Sequence, residues 1–414
     1  MRIHPPDDAA APETRNPFAS RHFTRWWIAS VVAGTGVGIQ AVTVPLFIRD
    51  RVDTDVRALA IAGALIAQTL PGALLALVGG AVADRVERRR ILVRTYGVAA
   101  LASTLYLALS GWNVREIWPV FLLAALVGSA GAFTNPARQS MLPQLVTPNQ
   151  LPNGVIFGTM GFMASLQFLG PSIAGLLVDT RGLAAAFGLE VVLLTLGAAV
   201  FSRIRTDQPT PTGRNVFGDL TDGLRYVRRS PTILALLLLA TVPGVCFIGP
   251  FGVTIALVVP DVLHASDKWV GLLWGCFGAG VFAGSVILTL RPLPRRGLAI
   301  CLANVVGGLV LILYGLSETL LLSAVVLVAW GLGASVFINY VVTLLQQLTE
   351  PRMMGRVMSM YSLAFFIAMP IGYAQAGAVT NAFGPEVTLV SSGAVATAIG
   401  LGCLALVRRI RELA

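Results

Sequence analysis

One carboxylate lies deep inside an apolar stretch of this 414-residue chain. Glu190 is the only charged residue in 182–202, about eight residues, or roughly 12 Å along a helix, from the nearer end of that stretch. A carboxylic acid in such surroundings could bind and release a proton, pair two helices, or extend its head group towards water. Asp50, Asp53 and Asp179, just outside the apolar stretches, are the alternative proton carriers.

Polar and aromatic side chains in the middle of other apolar stretches could form a binding site. An unpaired amide is costly in an apolar medium, so buried glutamines should face other protein groups. Each of these residues could instead join neighbouring helices. Because the chain has so few buried charges, the set suits a neutral or anionic, partly aromatic ligand better than a strongly cationic one. The candidate binding residues are Gln40, Thr43, Gln68, Gln167, Phe168, Phe247, Phe251, Trp274, Phe277, Asn339, Tyr340, Tyr361, Phe365, Tyr373 and Gln375.

A cluster of charges follows an apolar stretch at Gly80–Arg90, with the sequence GAVADRVERRR. Charges directly after a membrane-length apolar segment require water, so this cluster predicts a loop. The arginines alone could be a membrane anchor of the kind found in many membrane proteins. The spacing of Gly80, Asp84, Arg85, Arg88 and Arg89 is more specific than an anchor requires.

The composition indicates a membrane protein. Hydrophobic residues make up 56% of the chain and charged residues only 12%, against about 25% in a soluble protein. A bilayer core is crossed by about 20 apolar residues. Eight uncharged stretches have this length, three longer ones each hold one span, and 182–202 supplies one more. We therefore predict an all-α membrane protein with twelve transmembrane helices.

The basic residues set the predicted orientation. If the N-terminus is cytoplasmic, the cytoplasmic segments carry 24 Lys and Arg residues and the external loops carry 6. Basic residues favour the cytoplasmic side, so both termini are expected there. The net charge of +10 lies in these short segments, which argues against nucleic acid as a partner.

The chain divides into two related halves. Gln144-Leu145-x-x-Pro148, after the fourth span, recurs 203 residues later as Gln347-Leu348-x-x-Pro351. We predict a cytoplasmic tail at 1–24, a six-helix half at 25–203, a cytoplasmic central loop at 204–231, a second six-helix half at 232–408, and a cytoplasmic tail at 409–414. Such pseudo-symmetric halves rock around a site near the middle of the membrane in many transporters.

Three motifs resemble the major facilitator superfamily of transporters. The Gly80–Arg89 spacing is similar to the loop between helices 2 and 3 of that family. Asn135–Val146, NPARQSMLPQLV, resembles the loop after helix 4 in the branch that holds the enterobactin exporter and related bacterial drug and siderophore exporters. Gly355–Ser359, GRVMS, resembles the start of helix 11 in that branch. The resemblance implies the major facilitator fold and export of a small amphipathic molecule by alternating access.

The resemblance also implies a conformational gate. Asp84 at the end of helix 2 could accept hydrogen bonds from the positive N-terminus of a neighbouring helix, which in the family fold is helix 11. That helix begins near Gly355. With Arg88 or Arg356 beside it, the contact would hold the halves together on the cytoplasmic side and favour the outward-open state. The predicted gate residues are Gly80, Asp84, Arg85, Arg88, Arg89, Arg138, Gly355 and Arg356.

Helix 4, taken as Ile117–Phe133, lacks the buried arginine of many proton-driven drug antiporters, which argues against proton coupling by that route. Glu190 is the candidate carrier because it is the only carboxylate deep inside a predicted span. In helix 5, Gly170-Pro171 resembles a facilitator signature. Proline frees a backbone carbonyl and kinks a helix, although small residues there could serve close packing alone. Helix 6 is peripheral in this superfamily, so Glu190 could merely pair helices.

The expected function is secondary active efflux of a siderophore, drug or secondary metabolite across the cell membrane. The alternatives are a facilitator-type importer of a neutral solute and a non-transport sensor or scaffold. No nucleotide-binding motif with a preceding strand occurs, and the three histidines lie outside the spans. We therefore expect no enzyme activity, cofactor or metal site, and a monomer in the lipid bilayer whose partners are a small-molecule substrate and protons as the coupling ion.

Overall fold

Twelve helices long and apolar enough to cross a membrane make up the protein in a computed structural model that describes residues 15–83, 86–111, 116–204 and 216–406. The predicted span count is confirmed. We number the spans in chain order. Their bounds are Arg21–Arg49, Arg57–Ala83, Arg88–Gly111, Trp118–Met141, Leu151–Arg181, Leu183–Ser202, Pro231–Asp261, Lys268–Leu290, Arg296–Gly315, Leu320–Leu348, Met354–Phe383 and Pro385–Leu406.

Several predicted boundaries differ from the structure. Span 1 begins at Arg21 and is capped by Ser20, whose hydroxyl accepts from the Phe23 amide at 3.3 Å and donates to the Leu145 carbonyl at 2.7 Å. The N-terminal half therefore begins before residue 25. In the predicted central loop, Val216–Arg229 forms a helix that the sequence analysis did not predict. Its residue Gly223 lies against Arg356 and Met360 of span 11.

Each half contains a close crossing between two glycines. A side chain at Gly38 of span 1 would meet the Leu166 carbonyl at 2.6 Å and the Gly170 Cα atom at 3.1 Å. In the second half, a side chain at Gly249 of span 7 would enter the backbone of Gly372 in span 11. Small residues allow helix backbones to approach this closely in lipid. The two crossings are equivalent contacts in the two halves, as the sequence repeat predicts.

A π-helical turn lies directly before the Gly-Pro pair in spans 5 and 7. It covers Ser165–Leu169 before Gly170-Pro171, and Pro243–Ile248 before Gly249-Pro250. Proline lacks the amide hydrogen that would close the preceding α-helical turn, so that turn widens. The predicted distortion at Gly170-Pro171 is therefore present, and close packing through Gly170 accompanies it.

The two halves meet tightly at one end of the bundle, which we call the sealed end. There Arg49, at the end of span 1, forms an ion pair with Asp267 at 2.6 Å, immediately before span 8. A side chain at Gly271 of span 8 would enter the backbone of span 5 at Pro171 and Gly175. This packing closes the path between the halves at that end.

Candidate functional site

A chain of hydrogen bonds crosses the N-terminal half. The Gln68 amide Nε2 of span 2 donates to Gln40 Oε1 of span 1 at 2.7 Å. Gln40 Nε2 donates to Glu190 Oε1 of span 6 at 3.3 Å. The Ser103 hydroxyl of span 3 donates to the same Glu190 oxygen at 2.6 Å. These hydrogen bonds therefore link four spans, and each donor group faces along the series towards the Glu190 carboxylate.

Glu190 is enclosed by protein and does not extend towards the lipid head groups. The residue is 1% exposed, and its second oxygen, Oε2, has no hydrogen-bond partner. Span 6 packs on spans 1 and 3, which directs Glu190 into the half even though span 6 lies at its side. Of the sequence-based alternatives for Glu190, extension towards water does not occur in this structure.

In both of its hydrogen bonds, the Glu190 carboxylate is the acceptor. Gln40 uses its carbonyl to receive Gln68 and its amide to reach Glu190, so the chain has one direction. Ser103 has a second acceptor, the Ala99 carbonyl of its own helix at 2.9 Å. The serine hydroxyl can therefore turn away when Glu190 changes its protonation state. A buried polar chain of this kind can transmit a local charge change, because its bonds depend on one another.

The carboxylates near the ends of the spans have different surroundings. Asp50 pairs with Arg49 at 2.7 Å, and its side chain is 41% exposed. Asp179 lies 4.0 Å from Lys268, and Asp53 precedes a short helical turn without capping it through its side chain. Each of these three is closer to water than Glu190.

The second half has an aromatic core at the corresponding depth. Phe251 is 1% exposed and its ring contacts those of Trp274, Phe277, Tyr314 and Trp330, at centroid distances from 4.7 to 6.1 Å. The sequence analysis named Phe251, Trp274 and Phe277 but missed Tyr314 and Trp330. Both were detectable as aromatic residues inside uncharged stretches.

A small cavity of about 60 Å³ opens beside this core, within the second half. Three predicted binding residues, Phe247, Phe277 and Phe365, line it. Tyr361 stacks on Phe365 at a centroid distance of 6.5 Å. Trp330 forms part of the same wall.

The other candidate binding residues make contacts within or between helices. The Asn339 amide donates to Ser285 at 3.1 Å, and the Tyr340 hydroxyl accepts from the Leu293 amide at 2.7 Å. Gln375 donates to the Val245 carbonyl at 3.2 Å. The remaining candidates lie apart from the cavity lining: the Thr43 hydroxyl bonds within its own helix, Gln167 contacts Met163, Phe168 is 41% exposed, and Tyr373 lies against Gly252.

Part of the predicted gate falls outside the described residues. Asp84 and Arg85 belong to the undescribed positions, and Gly80 is described only as part of the span 2 helix. Arg89 pairs with Glu87 at 2.8 Å, whereas the Nε and Nη1 atoms of Arg88 are buried without a hydrogen-bond partner. Gly355 and Arg356 lie at the start of span 11, which begins at Met354 as predicted.

Arg138 requires a correction. The sequence analysis placed it in a loop after span 4, but that helix continues to Met141 and carries Arg138 in its last turn. The residue is 2% exposed, and its guanidinium lies over the Phe162 ring at 3.8 Å from the centroid. Span 4 therefore contains a buried arginine, contrary to the expectation. An aromatic face stabilises a cation at this short range, which explains how the charge is accommodated.

Comparison with known proteins agrees with this architecture. The profile of a protein family described as "Transmembrane secretion effector" matches residues 13–413. Macrolide efflux protein A of Streptococcus pyogenes is 22% identical over 83% of this chain and 86% of the relative. Multidrug efflux pump Tap of Mycobacterium tuberculosis is 25% identical over 93% of each chain.

Solved structures share the fold at low sequence identity. The human organic anion transporter MFSD10 superposes with a TM-score of 0.67 at 14% identity, covering 95% of this chain and 99% of that one. The nucleoside transporter NupG gives a TM-score of 0.72 at 12% identity, covering 93% and 99%. The predicted two-half, twelve-helix fold is confirmed.

Proposed function

The chain belongs to the transmembrane secretion effector family, and from this we propose that it exports a small amphipathic molecule from the cytoplasm by alternating access, driven by proton entry through Glu190. The efflux relatives support the direction of transport. The enclosed carboxylate at the end of the Gln68–Gln40 chain is the observation that carries the proton-coupling part.

Glu190 has the features of a proton carrier. Among the described residues no basic side chain forms an ion pair with Glu190, and the side chains that donate hydrogen bonds to it are neutral. A buried charge without a counter-charge is costly, and a proton is the neutralising ion that this small polar site can take up. Intramembrane carboxylates in such positions mark proton relays in pumps and transporters.

The chain of hydrogen bonds leads from Glu190 towards the boundary between the halves. Gln68 lies one helical turn after Leu65. Leu65 lies 3.5 Å from the point that a side chain at Gly252 of span 7 would reach. A change in the hydrogen bonds at Glu190 would therefore alter the packing where span 2 meets the second half. This connection gives proton binding a route to the rocking of the halves.

We place the sealed end on the external side, because the distribution of basic residues puts both termini in the cytoplasm. In that orientation the Arg49–Asp267 contact closes the external side, and we propose that this arrangement corresponds to the inward-facing state, in which a molecule from the cytoplasm can enter. The aromatic cavity of the second half then supplies an uncharged surface for the exported molecule. The siderophore, the drug and the secondary metabolite remain substrate candidates.

The gate prediction complements this state. In the proposed cycle, Asp84 contacts the start of span 11 when the cytoplasmic side closes. Asp84→Asn keeps the shape and removes the charge, which should weaken such a contact by roughly 0.5–2 kcal/mol. Cytoplasmic cysteine accessibility should rise and transport should fall, with ligand affinity nearly unchanged. A large loss of affinity at unchanged accessibility would place Asp84 in the binding site instead.

The proposal is tested first in cells and then in proteoliposomes. A host without its own major efflux pumps, with and without this protein, is challenged with a compound panel that includes a macrolide. A compound whose accumulation falls is then used in proteoliposomes under an imposed pH gradient. Glu190→Gln should abolish gradient-driven accumulation, because a glutamine cannot release a proton, while downhill exchange persists.

The matched controls are Asp50→Asn, Asp53→Asn and Asp179→Asn, which remove carboxylates at or beyond the ends of the spans. Each should retain gradient-driven transport. Full gradient-driven activity in Glu190→Gln together with its loss in one of these controls would transfer proton coupling to the carboxylate that was changed. Absence of any exported compound in the cell assay would refute export itself. Fusion reporters after Ala414 and near Lys268 check the proposed orientation, and a cytoplasmic signal near Lys268 would reverse it.

A further inference from the structure

The aromatic cavity of the second half contains one buried polar atom without a partner. Asn304 of span 9 lines the cavity and is 1% exposed. Its amide nitrogen donates to the Ile300 carbonyl, one turn earlier, at 3.3 Å. Its carbonyl oxygen, Oδ1, is buried and accepts no hydrogen bond. An unpaired buried acceptor is unfavourable, so this oxygen marks a position that suits a donor.

The walls around Asn304 are apolar and largely aromatic. Phe247, Phe277 and Trp330 lie close together, with the ring of Trp330 at 4.7 Å from that of Phe277 and 5.8 Å from that of Phe247. No charged side chain lines the cavity. A flat apolar group can contact these rings, whereas an ion would find no counter-charge there.

The cavity can take the donor-bearing edge of such a group. Its volume of about 60 Å³ is enough for a few water-sized atoms but is below the roughly 300–1,000 Å³ of a complete small-molecule site, so the rest of the ligand stays outside it. Gly333 of span 10 lines it, and a side chain added there would enter open space, with no atom within 4 Å. The empty volume is therefore available to a ligand and can be filled by a substitution.

We propose that this cavity is a binding pocket for the aromatic end of an uncharged molecule, and that Asn304 Oδ1 selects ligands carrying a hydroxyl or N–H donor. The pocket lies inside the second half and reaches span 9, so it is separate from the Glu190 site. The claim that the ligand of this pocket is the exported molecule rests on the proposed function. The claim that the pocket binds a ligand does not depend on it.

Two probes of nearly the same shape separate the donor from the aromatic body. 1-Naphthol carries a hydroxyl donor, and 1-methoxynaphthalene carries none. Binding of each radiolabelled probe to the full chain in lipid nanodiscs is measured by equilibrium dialysis, with empty nanodiscs subtracted. The readout is the ratio of the two affinities, compared between the wild type and Asn304→Leu, which cancels the difference in partitioning into lipid.

We expect the ratio of 1-naphthol affinity to 1-methoxynaphthalene affinity to be roughly fivefold to tenfold higher in the wild type than in Asn304→Leu. This factor is the scale of one net hydrogen bond. Gly333→Leu should weaken both probes by about tenfold or more, because it fills the cavity. Gly131→Leu is the matched control: Gly131 lies in span 4, the counterpart of span 10, and a side chain there also meets open space. It should bind both probes as the wild type does.

Equal ratios in the wild type and Asn304→Leu would overturn the role of Asn304, and undiminished binding in Gly333→Leu would overturn the pocket. If Gly333→Leu does not fold, Gly333→Ala provides a smaller obstruction. The pocket proposal then requires that Gly333→Ala partly weakens the binding of both probes. The assay needs no gradient. Probe binding without export in cells would therefore refute the transport proposal alone, and export without probe binding would refute this pocket alone.

Discussion

At similar depths in the membrane, Gln40, Ser103 and Glu190 from three spans meet in the N-terminal half, whereas Phe251, Trp274 and Trp330 from three spans meet in the C-terminal half. The backbones cross through equivalent glycine contacts in the two halves. The same scaffold therefore holds an ionisable polar core on one side and an aromatic core with an adjoining cavity on the other.

This difference suggests a division of labour. A polar core can respond to a proton because its hydrogen bonds depend on the charge of one carboxyl group. An aromatic core cannot respond in that way, but it offers an apolar surface to a ligand. Coupling in the first half and ligand binding in the second would then be joined where the halves meet.

The largest expected effect is on the stability of the aromatic core. Phe251→Ala should destabilise the protein by about 4 kcal/mol, in the range for removal of a buried Phe side chain. Phe187→Ala in the N-terminal half should cost less, because Phe187 is equally buried but contacts only the rings of Phe47 and Tyr106, and each aromatic pair adds roughly 0.5–1.5 kcal/mol. Thermal unfolding in detergent measures both. A greater loss of stability in Phe187→Ala would contradict the prediction that the aromatic core around Phe251 contributes more to stability than the rings around Phe187.

A smaller effect on stability, with a specific effect on function, is expected from the polar core. Gln40→Leu leaves Gln68 and Glu190 without their shared partner and should cost about 1–3 kcal/mol. Gln375→Leu in the second half removes bonds to Val245 and Ser392 at a similar cost. Gradient-driven transport should fail in the first variant and survive in the second. Equal loss in both variants would show that general destabilisation explains the result.

The seam between the halves should respond next. Arg49 and Asp267 form two bonds, Nη1–Oδ1 at 2.6 Å and Nη2–Oδ2 at 2.9 Å, and paired geometry of this kind strengthens an ion pair. A double-mutant cycle with Arg49→Gln and Asp267→Asn should give a coupling of about 1–2 kcal/mol, enough to change a two-state population several-fold or more. Opening is measured as the reactivity of Ser172→Cys, placed at the sealed end between spans 5 and 8, in a background without the native cysteines. Unchanged reactivity in all the variants would remove the ion pair from the gate.

The smallest effect is expected at the neighbouring pair of Lys268 and Asp179. Their charged atoms are 4.0 Å apart and the lysine side chain is 41% exposed. Such pairs contribute at most about 0.5–1 kcal/mol and are screened by salt. The same cycle, with Lys268→Gln and Asp179→Asn, should give a coupling near zero at 0.5 M salt. A salt-resistant coupling as large as that of Arg49 would mean that the seam is held by several equivalent pairs.

Much of the fold could be predicted because each span is marked locally. Eleven uncharged stretches and the apolar stretch around Glu190 located all twelve helices, and the Gln-Leu-x-x-Pro repeat indicated two related halves. The helix at Val216–Arg229 was missed, because a polar segment with prolines nearby was interpreted as a loop. Arg138 was misplaced for a related reason: a charge was taken to end span 4, whereas the Phe162 ring allows that charge to be buried.

The site was less predictable. Glu190, Gln40 and Gln68 were each named as candidates, but nothing in the sequence joined them or connected them with Ser103. Asn304 was not selected, although it is an amide inside an uncharged stretch, as the selected Asn339 is. Phe247, Phe277 and Phe365 were grouped with residues whose hydrogen bonds join other parts of the chain, such as Gln375 and Tyr340.

The sequence by itself determined the number of spans, their positions and the relation between the halves, because a helix in lipid must satisfy its backbone hydrogen bonds within its own segment. The tertiary structure alone decided which side chains meet. The rotation of each helix about its axis depends on where it crosses its neighbours, and those crossings, such as Gly38 with Gly170, join residues far apart in the chain. A polar residue therefore becomes part of a proton site or a simple helix contact according to packing that no local pattern encodes.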